Sequence, residues 1–339
     1  MAKFNIIHCD PAPYKNEILA FWEKYLPDAP AGRFEWMAQG NPAGEAVWFL
    51  AFEKNSDKLA GTISIMPRMV TIRGKEYLAG IVGDLMVAKE HRVFGPNIQL
   101  LRSVIKEHKN IGFDFLYTIP NRDSEKLTSR AGFKTAGVIK RYVKPMDYEI
   151  ILQRYTSGTI AKIISLPANF ISRILSKEIY ISSNLLCEEV RALKEDYELF
   201  SNELKDYFPA IGDRSKNYIQ WRYLKNPLYE FNIDLFRRAS DGSISGYVIY
   251  TAIDNGINVF DIIAKDESNF KGVFAHFLKK LKKTKIKSVS INAFQDNPLL
   301  PFISSFLFFE RQDSVPLHYC ADSMSLPDGW VFFSGDRNI

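Results

Sequence analysis

Apolar positions recur along the chain with two periods, and their alternation lays out the elements. A helical stripe at Ile18, Phe21, Trp22 and Tyr25 runs into Tyr25-Leu26-Pro27, and a proline after such a stripe stops a helix. Runs rich in β-branched and aromatic residues predict strands near residues 47–52 and 62–65. Beyond them, 83–87 reads as a strand, 92–95 as a turn, 96–108 as a helix and 113–118 as a strand. The succession then returns. A stripe at Tyr197, Phe200 and Leu204 ends in Tyr207-Phe208-Pro209, and strands follow near 233–236 and 247–250. Next come a strand at 260–264, a turn near Gly272, a helix to about residue 281 and a strand at 288–292. Each succession contains a strand–helix–strand crossover set in a mixed sheet.

Fixed spacings tie the two successions together. Trp36, Asn41, Pro42 and Gly61 recur as Trp221, Asn226, Pro227 and Gly246 with unchanged offsets. Asp84, Asn121 and Phe133 are matched by Asp261, Asn297 and Phe309, with the first interval one residue shorter. A repeat of this length fixes the architecture before any motif is interpreted. It predicts an α/β fold with a mixed sheet, built as two tandem domains at 1–149 and 185–339 and joined by a basic helical linker at 150–184.

The length of 339 residues, with 46% apolar and 24% charged side chains, exceeds what one core organises and agrees with two units. A net charge of +5 is mild; it favours anionic ligands without requiring a nucleic acid. Cys9, Cys187 and Cys320 are far apart and follow no metal-ligand spacing, so neither a disulfide framework nor a metal site is expected. The start of the chain has no signal-like apolar run, and the expected location is cytoplasmic. In the linker, Arg154, Lys162, Arg173 and Lys177 stand among aliphatics with no acid between 150 and 177. A basic helix packed between the domains is preferred here over peripheral contact with an anionic membrane. The lysines between 279 and 287 lack interleaved aromatics, which favours a solvated helix face over a nucleic-acid surface.

The chemistry concentrates where the strand at 83–87 passes through Arg92 and Gly95 into a helix opened by Pro96. Helix N-terminal amides bind anions, a glycine lets the backbone approach closely, and Arg92 adds a charge-assisted donor. The segment Gly83-Asp84-Leu85-Met86-Val87 with Arg92-Val93-Phe94-Gly95-Pro96-Asn97 resembles the coenzyme A motif of the GNAT superfamily of acyl-CoA-dependent acyltransferases. Asn121 to Leu127, with Ala131-Gly132-Phe133-Lys134, is similar to that family's next motif. The resemblance covers both halves and marks the tandem members of the superfamily.

The resemblance implies that Val87 and its neighbours hold the pantetheine arm of acetyl-CoA or another acyl-CoA through backbone groups. Arg92, Val93, Phe94, Gly95, Pro96 and Asn97 would wrap its pyrophosphate, with Asn121 alongside. Asn97 stands where the family has Gly or Ala. The tyrosine that protonates the leaving thiolate in many members would fall at Thr128. Tyr117 is the alternative donor, weighed against a packing role on its strand. Asp84 is the candidate base, directly or through water, weighed against a role accepting backbone amides; His91 is expected to face solvent or phosphate. In the second half, Asn269 replaces Arg92 and the carboxylates of Asp266 and Glu267 would repel a pyrophosphate. That half is expected to have lost the cofactor and to close an acceptor cleft.

The implied activity is direct transfer of an acyl group, most simply acetyl, to a small amine or amino-sugar acceptor, with polysaccharide or cell-envelope metabolism as the implied setting. The competing readings are a Fem-like aminoacyl transferase drawing on aminoacyl-tRNA and a non-catalytic ligand-binding protein on the same fold.

Overall fold

In the computed structural model, which describes residues 3–27, 29, 32–92, 95–153, 155–284, 286–322 and 326–338, one order of elements runs twice. The first run is β1 (Phe4–Cys9), α1 (Lys15–Tyr25), α2 (Arg33–Gln39), β2 (Val47–Glu53), β3 (Leu59–Ile72), β4 (Lys75–Val87), α3 (Asn97–Glu107), β5 (Phe115–Thr118), α4 (Glu125–Ala131) and β6 (Lys134–Pro145). After α5 (Tyr148–Leu152) and α6 (Gly158–Leu175), the second run opens with β7 (Leu185–Glu189), α7 (Asp196–Tyr207), the short β8 (Ala210–Gly212) and α8 (Lys216–Ile219). It continues through β9 (Asn232–Arg238), β10 (Ile244–Ile253), β11 (Gly256–Ala264), α9 (Glu267–Lys282), β12 (Ser288–Phe294), α10 (Leu300–Ser305) and β13 (Phe309–Cys320), and β14 (Trp330–Val331) follows.

The anchors of the repeat have the same structural duties in both runs. The Oδ1 atoms of Asn41 and Asn226 each accept the backbone N–H two residues on, from Ala43 and Leu228, which forms an Asx turn after the helix. Gly61 faces Val87 across β3 and β4, as Gly246 faces Ala264 across β10 and β11. Trp36 on α2 and Trp221, in the π-helical turn that continues α8, stack with ring centroids 4.8 Å apart. Each indole N–H donates to the other's backbone carbonyl at 3.0 Å. The two tryptophans therefore meet as reciprocal partners.

The sheet runs β1-β2-β3-β4-β5-β13-β6-β12-β11-β10-β9-β7. In the first run β1 to β4 are antiparallel neighbours and β4 pairs in parallel with β5; in the second, β7, β9, β10 and β11 are antiparallel neighbours and β11 pairs in parallel with β12, while the short β8 lies off this path against β3 and β14. The last strands are exchanged: β13 pairs with β5, β6 pairs with β12, and the two pair with each other at the centre. One sheet thus crosses the residue range expected to separate the domains. Exchange gives both inner strands a partner and leaves no open edge at the seam.

The linker helix departs from its expected packing. On α6 the small positions Ala161 and Ser165 are buried, as is the C-cap Ser176, whereas Ile160, Ile163, Ile164, Leu166, Phe170, Ile171, Ile174 and Leu175 are exposed. Asn169 holds the polar side to the body by accepting from the Tyr148 backbone N–H at 3.0 Å. The apolar stripe is not buried between the halves. No described helix is long and apolar enough to cross a membrane.

A buried charge network joins the two runs to the C-terminal segment. Arg214, in the loop after β8, grips Asp336 with both terminal nitrogens at 2.8 and 2.7 Å and sets Nε 2.7 Å from Asp261 on β11. Arg68 on β3 donates to Asp336 at 2.5 Å, and the Tyr247 hydroxyl donates to Asp261 at 2.8 Å. All five side chains are buried. Burial by itself would raise the Asp336 carboxyl, but the Arg214 and Arg68 guanidiniums outweigh it and hold the group below the usual carboxylate range. Removing one partner from such a network strands the others. Asp336→Ala is expected to lower stability by about 3–5 kcal/mol, read as the shift in a urea unfolding curve followed by tryptophan fluorescence. A loss below about 1 kcal/mol, the scale of an exposed pair, would show that the network does not hold the halves together.

Candidate functional site

β4 and β5 pair only over Ala79–Ile81 and Phe115–Tyr117, and beyond that point they diverge. The divergence begins at a bulge in β4: Ser64 faces Gly83 and Thr62 faces Met86, so two residues of β4 lie opposite one of β3. Asp84, inside the bulge, has φ +50°, a left-handed conformation that Asp tolerates better than most residues. Such a bulge removes backbone groups from the ladder and turns them outward.

Two adjoining cavities occupy the divergence. The inner one, about 210 Å³, is lined by Val82 to Leu85, by 118–121 after β5, and by Ser124, Thr128 and Asn338. The outer one, about 370 Å³, is lined by Tyr25, Leu85 to Val87, Arg92, Asn97, Asn121, Asp123, Ser124 and Leu127. Val87, Arg92, Asn97 and Asn121, all expected at a cofactor site, therefore share one concavity. Val93 and Phe94 lie outside the described residues. Gly95 and Pro96 shape the loop behind it. A Cβ at Gly95 would come within 1.8 Å of the His91 carbonyl oxygen, so the turn closes only with glycine there. Pro96 is the N-cap, accepting from the Leu100 N–H at 2.7 Å, and α3 begins one residue later than expected, at Asn97. Asn121 accepts from the Ser124 N–H at 2.9 Å and Oγ at 2.7 Å, fixing the start of α4. His91 is turned to Glu53 and the Phe4 ring, away from these cavities.

The two expected catalytic residues have different surroundings. Asp84 lines the inner cavity, and its oxygens are already engaged: Arg33 Nη2 lies 2.8 Å from Oδ1, while Ser64 Oγ and Asn338 Nδ2 donate to Oδ2 at 2.9 and 3.4 Å. Tyr117 lines neither cavity. It packs among Phe115, Trp330 and Phe332 and donates to the Asp336 carbonyl at 2.6 Å, and burial drives its hydroxyl well above the ordinary tyrosine range. The structure thus gives Tyr117 a packing position. Thr128, at the place of the family's tyrosine, lies 2.8 Å from Nδ1 of the buried His318. Burial lowers that imidazole's pKa. Arg33, Ser64, His318 and Asn338 are neighbours that the sequence reading did not single out. Ser64 stands on β3, the hairpin partner of β4, whereas Arg33, His318 and Asn338 come from far along the chain, and His318 arrives on an exchanged strand.

The equivalent divergence in the second run is filled. β11 and β12 pair over Gly256–Val259 and Ser288–Ile291. Beyond them, Phe333 bridges Ala293 and the turn at Ser334–Asp336 packs against both strands. Asp261, the counterpart of Asp84, is locked in the buried charge network. The expected turn near Gly272 is the interior of α9, which starts at Glu267. Its N-cap Asp266 accepts from the Asn269 N–H at 2.8 Å, so a carboxylate already occupies the anion-binding end of that helix.

A third cavity, about 570 Å³, opens at the seam of the runs. Arg141, Tyr229, Phe260, Asn292, Asp313 and Arg337 line it, and Asn338 lines both this cleft and the inner cavity. That contact is close: a Cβ on Gly83 would lie 1.9 Å from Asn338 Nδ2. Among the described residues there is no cluster of side chains suited to a metal ion.

Comparison with known proteins agrees with this geometry. The family model of the acetyltransferase (GNAT) domain matches residues 15–136. No curated protein sequence matches the chain. Among solved structures, a probable N-acyltransferase from Enterococcus faecalis V583 superposes with a TM-score of 0.66 at 12% identity, covering 94% of this chain and 72% of that one. A GCN5-related N-acetyltransferase from Anabaena variabilis gives 0.64 at 13%, covering 93% and 72%. The Saccharomyces cerevisiae N-myristoyltransferase with bound myristoyl-CoA gives 0.58 at 12%, covering 99% and 84%. Residues 15–136 thus match the acetyltransferase (GNAT) domain, and the chain has the fold of these N-acyltransferases along nearly its whole length.

Proposed function

We propose that this chain is an acyl-CoA-dependent N-acyltransferase that binds its cofactor in the first run alone and transfers acetyl directly to a small amine or amino-sugar acceptor. The observation that carries the reading is the open divergence of β4 and β5, with Arg92 and the start of α3 at its outer end, against the filled divergence of β11 and β12. On this reading the pyrophosphate lies at the N-terminus of α3 beside Arg92, and the pantetheine arm follows the β4 bulge past Val87. The thioester then reaches the inner cavity. The acceptor enters by the seam cleft, which Asn338 joins to that cavity, and 185–339 acts as the acceptor-side domain. Residues 1–149 are the cofactor domain and 150–184 the linker, with the exchanged strands holding the two domains in one sheet. A setting in polysaccharide or cell-envelope metabolism fits a polar acceptor.

The chemistry asks for orientation above all. The neutral amine attacks the thioester carbonyl, the C–S bond breaks, and the proton leaving the new amide nitrogen balances the departing thiolate as a thiol. Asp84 acts here as a positioning residue. A carboxylate already accepting from Arg33, Ser64 and Asn338 is poorly placed to collect a further proton, but it fixes Asn338 where the two cavities meet. Tyr117 has no part in the transfer.

Two measurements test these roles. In calorimetric titration with acetyl-CoA, one site per chain is expected. Arg92→Ala should weaken binding about tenfold to a hundredfold, the loss of one charge-assisted phosphate contact, while Lys271→Ala leaves it nearly unchanged. Unchanged affinity in Arg92→Ala with a loss in Lys271→Ala would move the cofactor to the other half. In assays of acetyl-CoA-dependent thiol release with a panel of amines, Asp84→Asn should lower kcat by about tenfold to a hundredfold through misorientation and keep the shape of the pH profile. Loss of the acidic limb in that variant would make Asp84 the base.

A further inference from the structure

The surface of α6 is inverted relative to an ordinary surface helix. A helix on a globular body turns its aliphatic stripe inward, yet here Ile163, Leu166 and Phe170 are 64, 63 and 65% exposed while Ala161 and Ser165 are buried. Around the helix axis, positions 160, 163, 164, 167, 170, 171 and 174 form one continuous face, and 161, 165, 169 and 172 form the opposite one. The polar face is fastened to the body: Asn169 bonds the Tyr148 N–H, and Ser176 Oγ accepts from Lys144 at 3.1 Å. The aliphatic face is thereby held outward. Contiguous exposed apolar surface of this kind marks an interaction site.

Charge and shape select the partner. No acidic residue occurs between 150 and 177, and Lys162 and Lys177 are exposed beside the stripe. A cavity of about 530 Å³ opens along the same helix, lined by Asn169 and Ser172 of α6 and its C-cap Ser176 with Lys144, Lys279, Lys282 and Lys283. Glu178 offsets part of this charge by pairing with Lys144 and Lys282 at 3.1 and 3.0 Å, and the balance stays positive. Tyr155 and Tyr180, 82 and 69% exposed, flank the helix; rings with a polar tip suit a boundary between water and acyl chains. The helix has 18 residues, roughly 27 Å, and is amphipathic, so it suits lying in an interface rather than spanning one.

We propose that α6 docks this protein on an anionic membrane surface, with the Ile163–Phe170 stripe entering the acyl-chain boundary and the neighbouring lysines meeting lipid phosphates. The proposal is independent of the acyltransferase reading. The full chain would be floated with vesicles of phosphatidylcholine alone and of phosphatidylcholine mixed equally with phosphatidylglycerol. Binding to the mixed vesicles is expected to exceed binding to the neutral ones by about tenfold or more. Ile163→Ser with Phe170→Ser, both at exposed positions, should reduce it by at least about tenfold, with an unchanged circular dichroism spectrum and melting midpoint. Lys162→Gln with Lys283→Gln should reduce binding to the mixed vesicles and leave the neutral baseline alone. Absence of binding to the mixed vesicles at low salt would overturn the proposal. So would binding indifferent to the serine pair, or a dimer in sedimentation velocity that the serine pair dissociates, which would make a second copy the occupant of the stripe.

Discussion

Arg68, Arg214, Asp261 and Asp336 are four charges without access to water, and the arrangement of the molecule depends on their remaining together. Arg68 belongs to the first run, Arg214 and Asp261 to the second, and Asp336 to the segment that follows β13. Buried charges are costly unless each meets an opposite charge in good geometry. The low-energy state is then the one in which both runs and the C-terminal segment converge. Burial raises the Asp261 carboxyl against the pull of Arg214, while Asp336, held by two guanidiniums, stays low. Asp336 is thus the acceptor on which the network centres. The exchange of β6 and β13 and the mutual stacking of Trp36 and Trp221 add apolar and hydrogen-bonded contacts across the same seam.

This convergence has a consequence for function. A parallel pair of strands that diverges leaves a wedge, and a duplicated fold has two. The C-terminal segment fills the wedge of β11 and β12, carrying Phe333 and Asp336 into it, while Asn338 only reaches the rim of the other at Asp84. One wedge becomes core and the other stays a cavity. The asymmetry therefore arises from where the chain's last residues go as much as from the loops beside α3 and α9. At α9 the contrast is reinforced locally, because the N-cap Asp266 already places a carboxylate at the helix N-terminus.

The sequence showed those parts of the structure that local chemistry dictates. The Asn-Pro and glycine anchors recur because each run needs the same Asx turn and the same close strand contact, and their spacing correctly paired Trp36 with Trp221. Arg92, Gly95 and Asn97 were legible because a helix N-terminus after a strand has a local signature. Exchange was not legible: β6 and β13 look alike whether they return to their own run or cross to the other, and His318 reaches Thr128 only through that crossing. Tyr117 illustrates the same limit, since neither its neighbours in sequence nor its strand reveals that Trp330, Phe332 and the Asp336 carbonyl will enclose it. The turn expected near Gly272 failed because Asp266 starts the helix earlier. The orientation of α6 is not legible either, because its small positions, rather than its aliphatic ones, contact the body.

The claim that one wedge is a cofactor site and the other is core is tested most directly by backbone hydrogen exchange with and without acetyl-CoA. The account predicts slower exchange at residues 85–99 and 121–128 on addition of the cofactor, with residues 264–272 unchanged. Slowing at 264–272, or no change at the β4 bulge and the start of α3, would contradict it.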